Sequence, residues 1–127
     1  MTKELLDFMC RLEFYKTNCK NIHWANPVGG LSVHKEMDTV MDDLSEFQDS
    51  VVEDASAIYG RIKVGDVRPM GTMVEDPIDF LKVIRADLAN MLDVLQDKMY
   101  TGIVNSIEDY WGKINISIYR INISLRR

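Results

Sequence analysis

The sequence predicts an all-α fold, a single four-helix bundle, and three observations predict it. Apolar residues recur at steps of three and four in four separate stretches. Gly- and Pro-bearing breaks divide the first three stretches, and Thr101-Gly102 divides the third from the fourth. The one segment that also alternates with period two, near the C-terminus, has no partner strand elsewhere. A chain of 127 residues is one domain, 1–127, and is long enough to bury a core. Its 46% hydrophobic and 28% charged content is that of an ordinary soluble protein.

Thr2 is a suitable N-cap for a first helix reaching about Trp24, with Leu5, Met9, Leu12, Tyr15, Cys19 and Ile22 as its apolar stripe. Asn26-Pro27-Val28-Gly29-Gly30 breaks it. Ser32 is the expected cap of the second helix, whose stripe is Met37, Val40/Met41, Leu44, Phe47, Val51 and Ile58. Gly60 ends that helix. The stretch Arg61–Glu75 is long for a connection, so it is either a functional loop or carries a short helix of its own. Asp76-Pro77-Ile78-Asp79 starts the third helix with a cap, a first-turn proline and an acid. Its stripe runs Leu81, Ile84, Leu88, Met91/Leu92, Leu95, Met99. The fourth follows from Ile103 through Ile107, Tyr110/Trp111, Ile114, Ile118 and Ile121 to Leu125. The INIS-IYR-INISL tract favours strand by isoleucine content, but a lone strand has nothing to pair with, and helix is expected.

No run approaches the ~20 apolar residues of a membrane span, and no signal peptide opens the chain, so a cytoplasmic location is expected. Cys10 and Cys19 lie about half a turn apart around one helix and cannot bridge within it; two reduced, partly buried thiols are expected. The net charge is −5, with 20 acidic against 15 basic residues. That balance argues against nucleic-acid binding and suits a protein that handles cations. Arg120, Arg126 and Arg127 read as complements to a helix C-terminus rather than as a DNA arm.

The second helix carries two pairs of metal-ligand residues, His34 with Asp38 and Asp49 with Glu53, each spaced i, i+4 and so on one face. Asp38 and Asp49 point within ~20° of each other, yet lie roughly 16 Å apart along the axis. One ion with bonds near ~2 Å cannot collect both pairs from one straight helix. The numbering is symmetric about the midpoint of residues 43 and 44, because 34 mirrors 53 and 38 mirrors 49. Two copies crossing antiparallel about a two-fold axis there would bring His34 and Asp38 of one chain to Asp49 and Glu53 of the other, in two equivalent sites. His23 ends the first helix and is carried by the short turn to the neighbourhood of His34. Taken singly, each histidine reads as a surface or satisfied-core residue and each carboxylate as a solvated face; the joint pattern points to metal. Asp, Glu and His together suit Fe(II), Mn(II) or Zn(II). A within-chain di-iron bundle needs Glu-x-x-His on facing helices, and none occurs. Asp42, Asp43 and Asp54 near this face read as solvated acids.

With those residues in view, HWANPVGG-LSVHKEMD followed by D-SVV-E resembles the Dps family, the miniferritins or DNA-protecting proteins from starved cells. That family has His-Trp closing its first helix, then His-x-x-x-Asp, then Asp-x-x-x-Glu fifteen residues after the second histidine, the spacing of His34 to Asp49 here. The resemblance covers the layout of nearly the whole chain and implies a ferritin-like four-helix bundle, with a short helix or loop between the second and third helices at Arg61–Glu75. It implies that His23, His34 and Asp38 from one subunit and Asp49 and Glu53 from its two-fold mate form a ferroxidase centre. Trp24 would flank that centre and quench stray radicals. It also implies a homododecameric shell that oxidises Fe(II), usually with hydrogen peroxide, and stores ferric iron, with zinc or manganese as possible substitutes. The departures are a slightly short first connection and only Met1-Thr2-Lys3-Glu4 where DNA-binding members carry a lysine-rich tail. Twelve copies of a −5 chain repel duplex DNA, so no DNA binding is expected. The alternative is a non-enzymatic structural shell or cargo protein whose site holds a static zinc or iron.

Overall fold

A computed structural model describes residues 1–126; Arg127 lies outside the described residues. Four helices carry the chain: α1 Lys3–Ala25, α2 Leu31–Tyr59, α3 Pro77–Val94 and α4 Thr101–Leu125, with a 3-10 turn at Lys98–Tyr100 before α4. Among the described residues none is in a strand, and no helix is long and apolar enough to cross a membrane.

The ends of the helices follow local chemistry. Thr2 accepts a hydrogen bond from the Leu5 amide at 3.3 Å and opens α1. Asn26 closes it in the left-handed region at φ 45°, donating its amide to the Ile22 carbonyl. α2 starts one residue before the expected Ser32 cap: Gly30 is the cap residue, with no side-chain bond, and Ser32 sits exposed in the first turn. The reason is conformational. The turn delivers the chain to Leu31 through φ 87° at Gly30, a backbone state that L side chains rarely adopt. Asp76 caps α3 by accepting from the Asp79 amide at 3.0 Å, with Pro77 in the first turn. α3 then stops at Val94 instead of running on to Met99. Asp97 accepts from the Met99 amide at 2.9 Å and winds a separate 3-10 turn, the local competition with helix that aspartate offers. α4 consequently begins at Thr101, before Gly102. The isoleucine-rich tract is helical: Ile114, Ile118 and Ile121 are buried at helical spacing while Ile116 and Ile123 face solvent.

Pairings between side chains fix the topology. α1 and α2 form an antiparallel hairpin across the short turn. Arg11 and Tyr15 of α1 meet Asp87 of α3, and Arg11 also reaches Met91, so α3 runs antiparallel to α1 and therefore parallel to α2. α4 returns antiparallel to both α2 and α3, with Ser117 donating to Glu36, Tyr59 paired with Tyr100 and Arg85 donating to Asn115.

A parallel α2–α3 pair requires the connection between them to travel the length of the bundle, and residues 61–76 do so without a helix. They lie along α1 as a strap. The Cys10 thiol donates to the Asp66 carbonyl, the Met70 amide donates to the Cys10 carbonyl, and the Asn18 amide group both donates to and accepts from the Val74 backbone at 2.8 and 2.9 Å. Gly71 lies flat on the Phe14 ring, where a Cβ would approach to 2.3 Å. These bonds satisfy strap backbone that would otherwise be costly to hold against the bundle.

The core runs between the four helices through Leu5, Phe8, Leu12, Leu44, Val51, Ile84, Leu88, Ile103 and Ile107, all fully buried. Each such side chain contributes roughly 1.5–3 kcal/mol relative to exposure. Phe47 and Tyr110 stack at 4.4 Å between α2 and α4. Both cysteines are buried free thiols, deeper than the partial burial expected. Burial pushes the Cys19 thiol up to about 12, with the Asp38 carboxylate adding to the rise.

Candidate metal centre

His23 comes from the last turn of α1 and His34 from the first turn of α2, and the Asn26–Gly30 turn brings the two together. Their rings stack with centroids 3.9 Å apart and planes inclined by 18°. Each ring donates from Nδ1 to the other residue's backbone carbonyl, His23 to His34 O at 2.9 Å and His34 to His23 O at 2.8 Å. This reciprocal clasp has two effects. It satisfies the His23 carbonyl at the C-terminal end of α1 while adding a second donor to the His34 carbonyl in the first turn of α2, and it places each neutral ring in the Nδ1–H tautomer, which leaves Nε2 as a bare lone pair. A metal-binding histidine is usually held by such a bond from its other nitrogen to a backbone carbonyl.

Asp38, one turn beyond His34 on α2, places a carboxylate oxygen 3.5 Å from His23 Nδ1. It therefore stands at the orienting edge of the ring and not at the free nitrogen. Its side chain is 69% exposed, so rotation about its own torsions is unobstructed by packing. Trp24 follows His23 and is largely solvent-facing, at 70% exposure.

Asp49 and Glu53 lie on the same continuous helix, both exposed. Fifteen residues of α2 separate Asp49 from His34, roughly 22 Å of axial rise. Among the described residues, neither carboxylate is engaged in a hydrogen bond or ion pair. Asp49 borders a groove of about 360 Å³ between α2 and α4, shared with Asp43, Glu46, Asp109 and Lys113. Of the nearby acids expected to be solvated, Asp42 is exposed, while Asp43 and Asp54 are half-buried. Burial raises the Asp43 carboxyl above its usual range.

One chain thus gathers His23, His34 and Asp38 at one end of α2 and keeps Asp49 and Glu53 towards the other. Among the described residues, no three His, Cys, Asp or Glu side chains converge as a metal-holding group. The nitrogen and oxygen donors present are of the kind that Fe(II), Mn(II) and Zn(II) accept. The histidine clasp is the feature that sequence reading missed. Its signal was present in the two histidines flanking a turn with a left-handed Asn26, but spacing alone does not show which ring nitrogen is occupied. Compared with family models, with curated proteins and with solved structures, the chain matches none.

Proposed function

We propose that this chain is a Dps-like miniferritin ferroxidase, with catalytic centres shared between two subunits related by a two-fold axis across the middle of α2. The observation that carries the reading is the pair of histidines clasped through Nδ1 with Nε2 left free, one turn from Asp38. Two further features support it. The ligand positions are symmetric about residues 43 and 44, which suits reciprocal half-sites. The bundle also has parallel α2 and α3 joined by one long crossover, the connectivity of ferritin-like bundles.

In this reading the substrate Fe(II) binds to the histidine Nε2 atoms and Asp38 of one subunit and to Asp49 and Glu53 of its mate. The backbone clasp holds the imidazoles in the metal-accepting tautomer. The carboxylates offset the cationic charge in both oxidation states. One peroxide accepts an electron from each of two Fe(II) ions, and its O–O bond breaks to two hydroxides. Taking both electrons at one centre avoids releasing hydroxyl radical. Ferric product then collects inside the shell.

The test adds Fe(II) anaerobically, then hydrogen peroxide, and follows ferric absorbance. Wild type oxidises rapidly with the iron staying soluble; His34→Ala and Asp49→Ala each lose the fast phase. The two variants, unfolded together and refolded as a mixture, recover about a quarter of wild-type activity. Half the random pairs are then mixed, and each mixed pair has one of its two centres intact. Equal rates in wild type and both variants would overturn the ferroxidase and leave a static zinc or iron site in a shell protein. Loss in both variants without recovery on mixing would overturn the shared centre.

A further inference from the structure

Behind the histidine clasp lies a groove with a different chemistry. It encloses about 210 Å³ between α1 and α2 and is lined by Cys19, His23, Met37 and Met41, with Trp24 and Asp38 at its edge. The sulfur and imidazole donors come two from each helix, and each pair is spaced i, i+4: Cys19 with His23 on α1, Met37 with Met41 on α2. The Cys19 thiol is turned towards α2, since it donates to the Met37 carbonyl at 3.3 Å. Three sulfur-bearing side chains and one histidine thus line a single space. Cys19 and Met37 form its buried floor, and Met41 is half-exposed.

From this donor set we infer that the groove is a binding site for a soft monovalent cation, Cu(I) by chemistry, adjoining the carboxylate-bearing centre proposed for iron and sharing His23 with it. Thiolate and thioether ligands select Cu(I), whereas carboxylates and imidazoles serve harder divalent ions. Two thioethers add no charge and need no deprotonation. The Cys19 thiol gives up its proton to solvent as its Sγ–metal bond forms, so a +1 ion is neutralised at the sulfur. The Trp24 ring stands beside the groove as a face for a cation. Lys20 and Asp38, opposite in charge, both line the groove. His23 belongs to both places, so Cu(I) in the groove competes with Fe(II) for the same imidazole.

The experiment titrates the reduced, metal-free chain with Cu(I) against a chromophoric Cu(I) chelator, with Ag(I) as a redox-inert check. Wild type holds one Cu(I) per chain against the chelator. Met41→Leu, which preserves volume at a half-exposed position, weakens binding at least tenfold, and so does Cys19→Ala. Cys10→Ser, which alters the other thiol, binds as wild type. Cu(I) retention by wild type is read whether or not the same preparation oxidises Fe(II), so failure of the iron reading and failure of this one are separable. Circular dichroism verifies that the variants stay helical. Wild type failing to hold one Cu(I), or Met41→Leu binding as tightly as wild type, would overturn the site. The second result would mean that a lone thiol captures the ion and that the methionines only pack.

Discussion

Asp87 is the residue whose loss is expected to loosen the bundle most for a single polar substitution. It is buried on α3 at 8% exposure. It accepts two hydrogen bonds from the Arg11 guanidinium, at 2.7 and 2.8 Å, and one from the Tyr15 hydroxyl at 2.5 Å. The Asp87 carboxylate raises the Arg11 pKa, and burial followed by the same carboxylate pushes the Tyr15 hydroxyl well up. Asp87→Ala removes all three bonds. Tyr15 is then left with an orphaned buried hydroxyl, which costs about 1–3 kcal/mol. Arg11, about one-third exposed, turns to water and loses most of a charge-assisted pair, for about 1.5–3 kcal/mol more. The expected loss is about 3–5 kcal/mol, the range for breaking a buried ion pair by removing one partner. For a chain of 127 residues this lowers Tm by about 11–19 °C, at about 2.1 cal/mol/K per residue. Urea unfolding followed by circular dichroism at fixed protein concentration measures it. The triple change Arg11→Met, Tyr15→Phe, Asp87→Leu should recover most of the loss, because an apolar set of similar volume leaves nothing unpaired. A loss below about 1 kcal/mol for Asp87→Ala would refute the reasoning, since it would mean that water reaches the pair and satisfies it.

Two further outcomes follow from single contacts. The Cys19 thiol has its pKa raised from 9.0 to about 12 in the folded chain, so its stabilising contribution is complete below pH 9 and is lost as pH rises towards 12. Stability should fall there by up to ~1.4 kcal/mol per pH unit from this group, and Cys19→Ala should flatten the alkaline slope measured by urea unfolding; an unchanged slope would show the thiol to be solvated. Gly71→Ala drives a methyl group into the Phe14 ring and should cost about 1–3 kcal/mol through a displaced strap; unaltered urea stability would mean that the strap moves aside freely.

The helices were legible because the apolar stripes are long and uninterrupted, and because Thr2, Asn26, Gly60 and Asp76-Pro77 carry their own boundary chemistry. The misplaced boundaries, at Ser32 and at Met99, are places where a backbone effect outranked the expected signal. A serine near a helix start reads as a cap, but Gly30 alone tolerates the φ that the turn demands. The Leu95–Met99 spacing continues the stripe of α3, yet Asp97 diverts the backbone. At the candidate centre, the grouping of His23, His34 and Asp38 was readable from spacing across a short turn. The side of the imidazole that Asp38 addresses was not, because it depends on rotamers. Nor was the strap's path, since Asn18 reads only the backbone of Val74 and leaves no pattern in the strap's own residues.

The strap also has a consequence for synthesis. It divides the chain into two helical hairpins, and the first is finished at Tyr59, before any of α3 or α4 has been translated. At ~5–20 residues per second the rest of the chain takes roughly 3–14 s to appear. During that interval Leu44, Phe47 and Val51 of the nascent hairpin are without the α4 surface that covers them in the finished bundle. A newly made α3–α4 hairpin from a neighbouring ribosome fits the same surface. The tether that allows α3 to lie parallel to α2 is therefore also the segment that any exchange of hairpins between two copies would have to span.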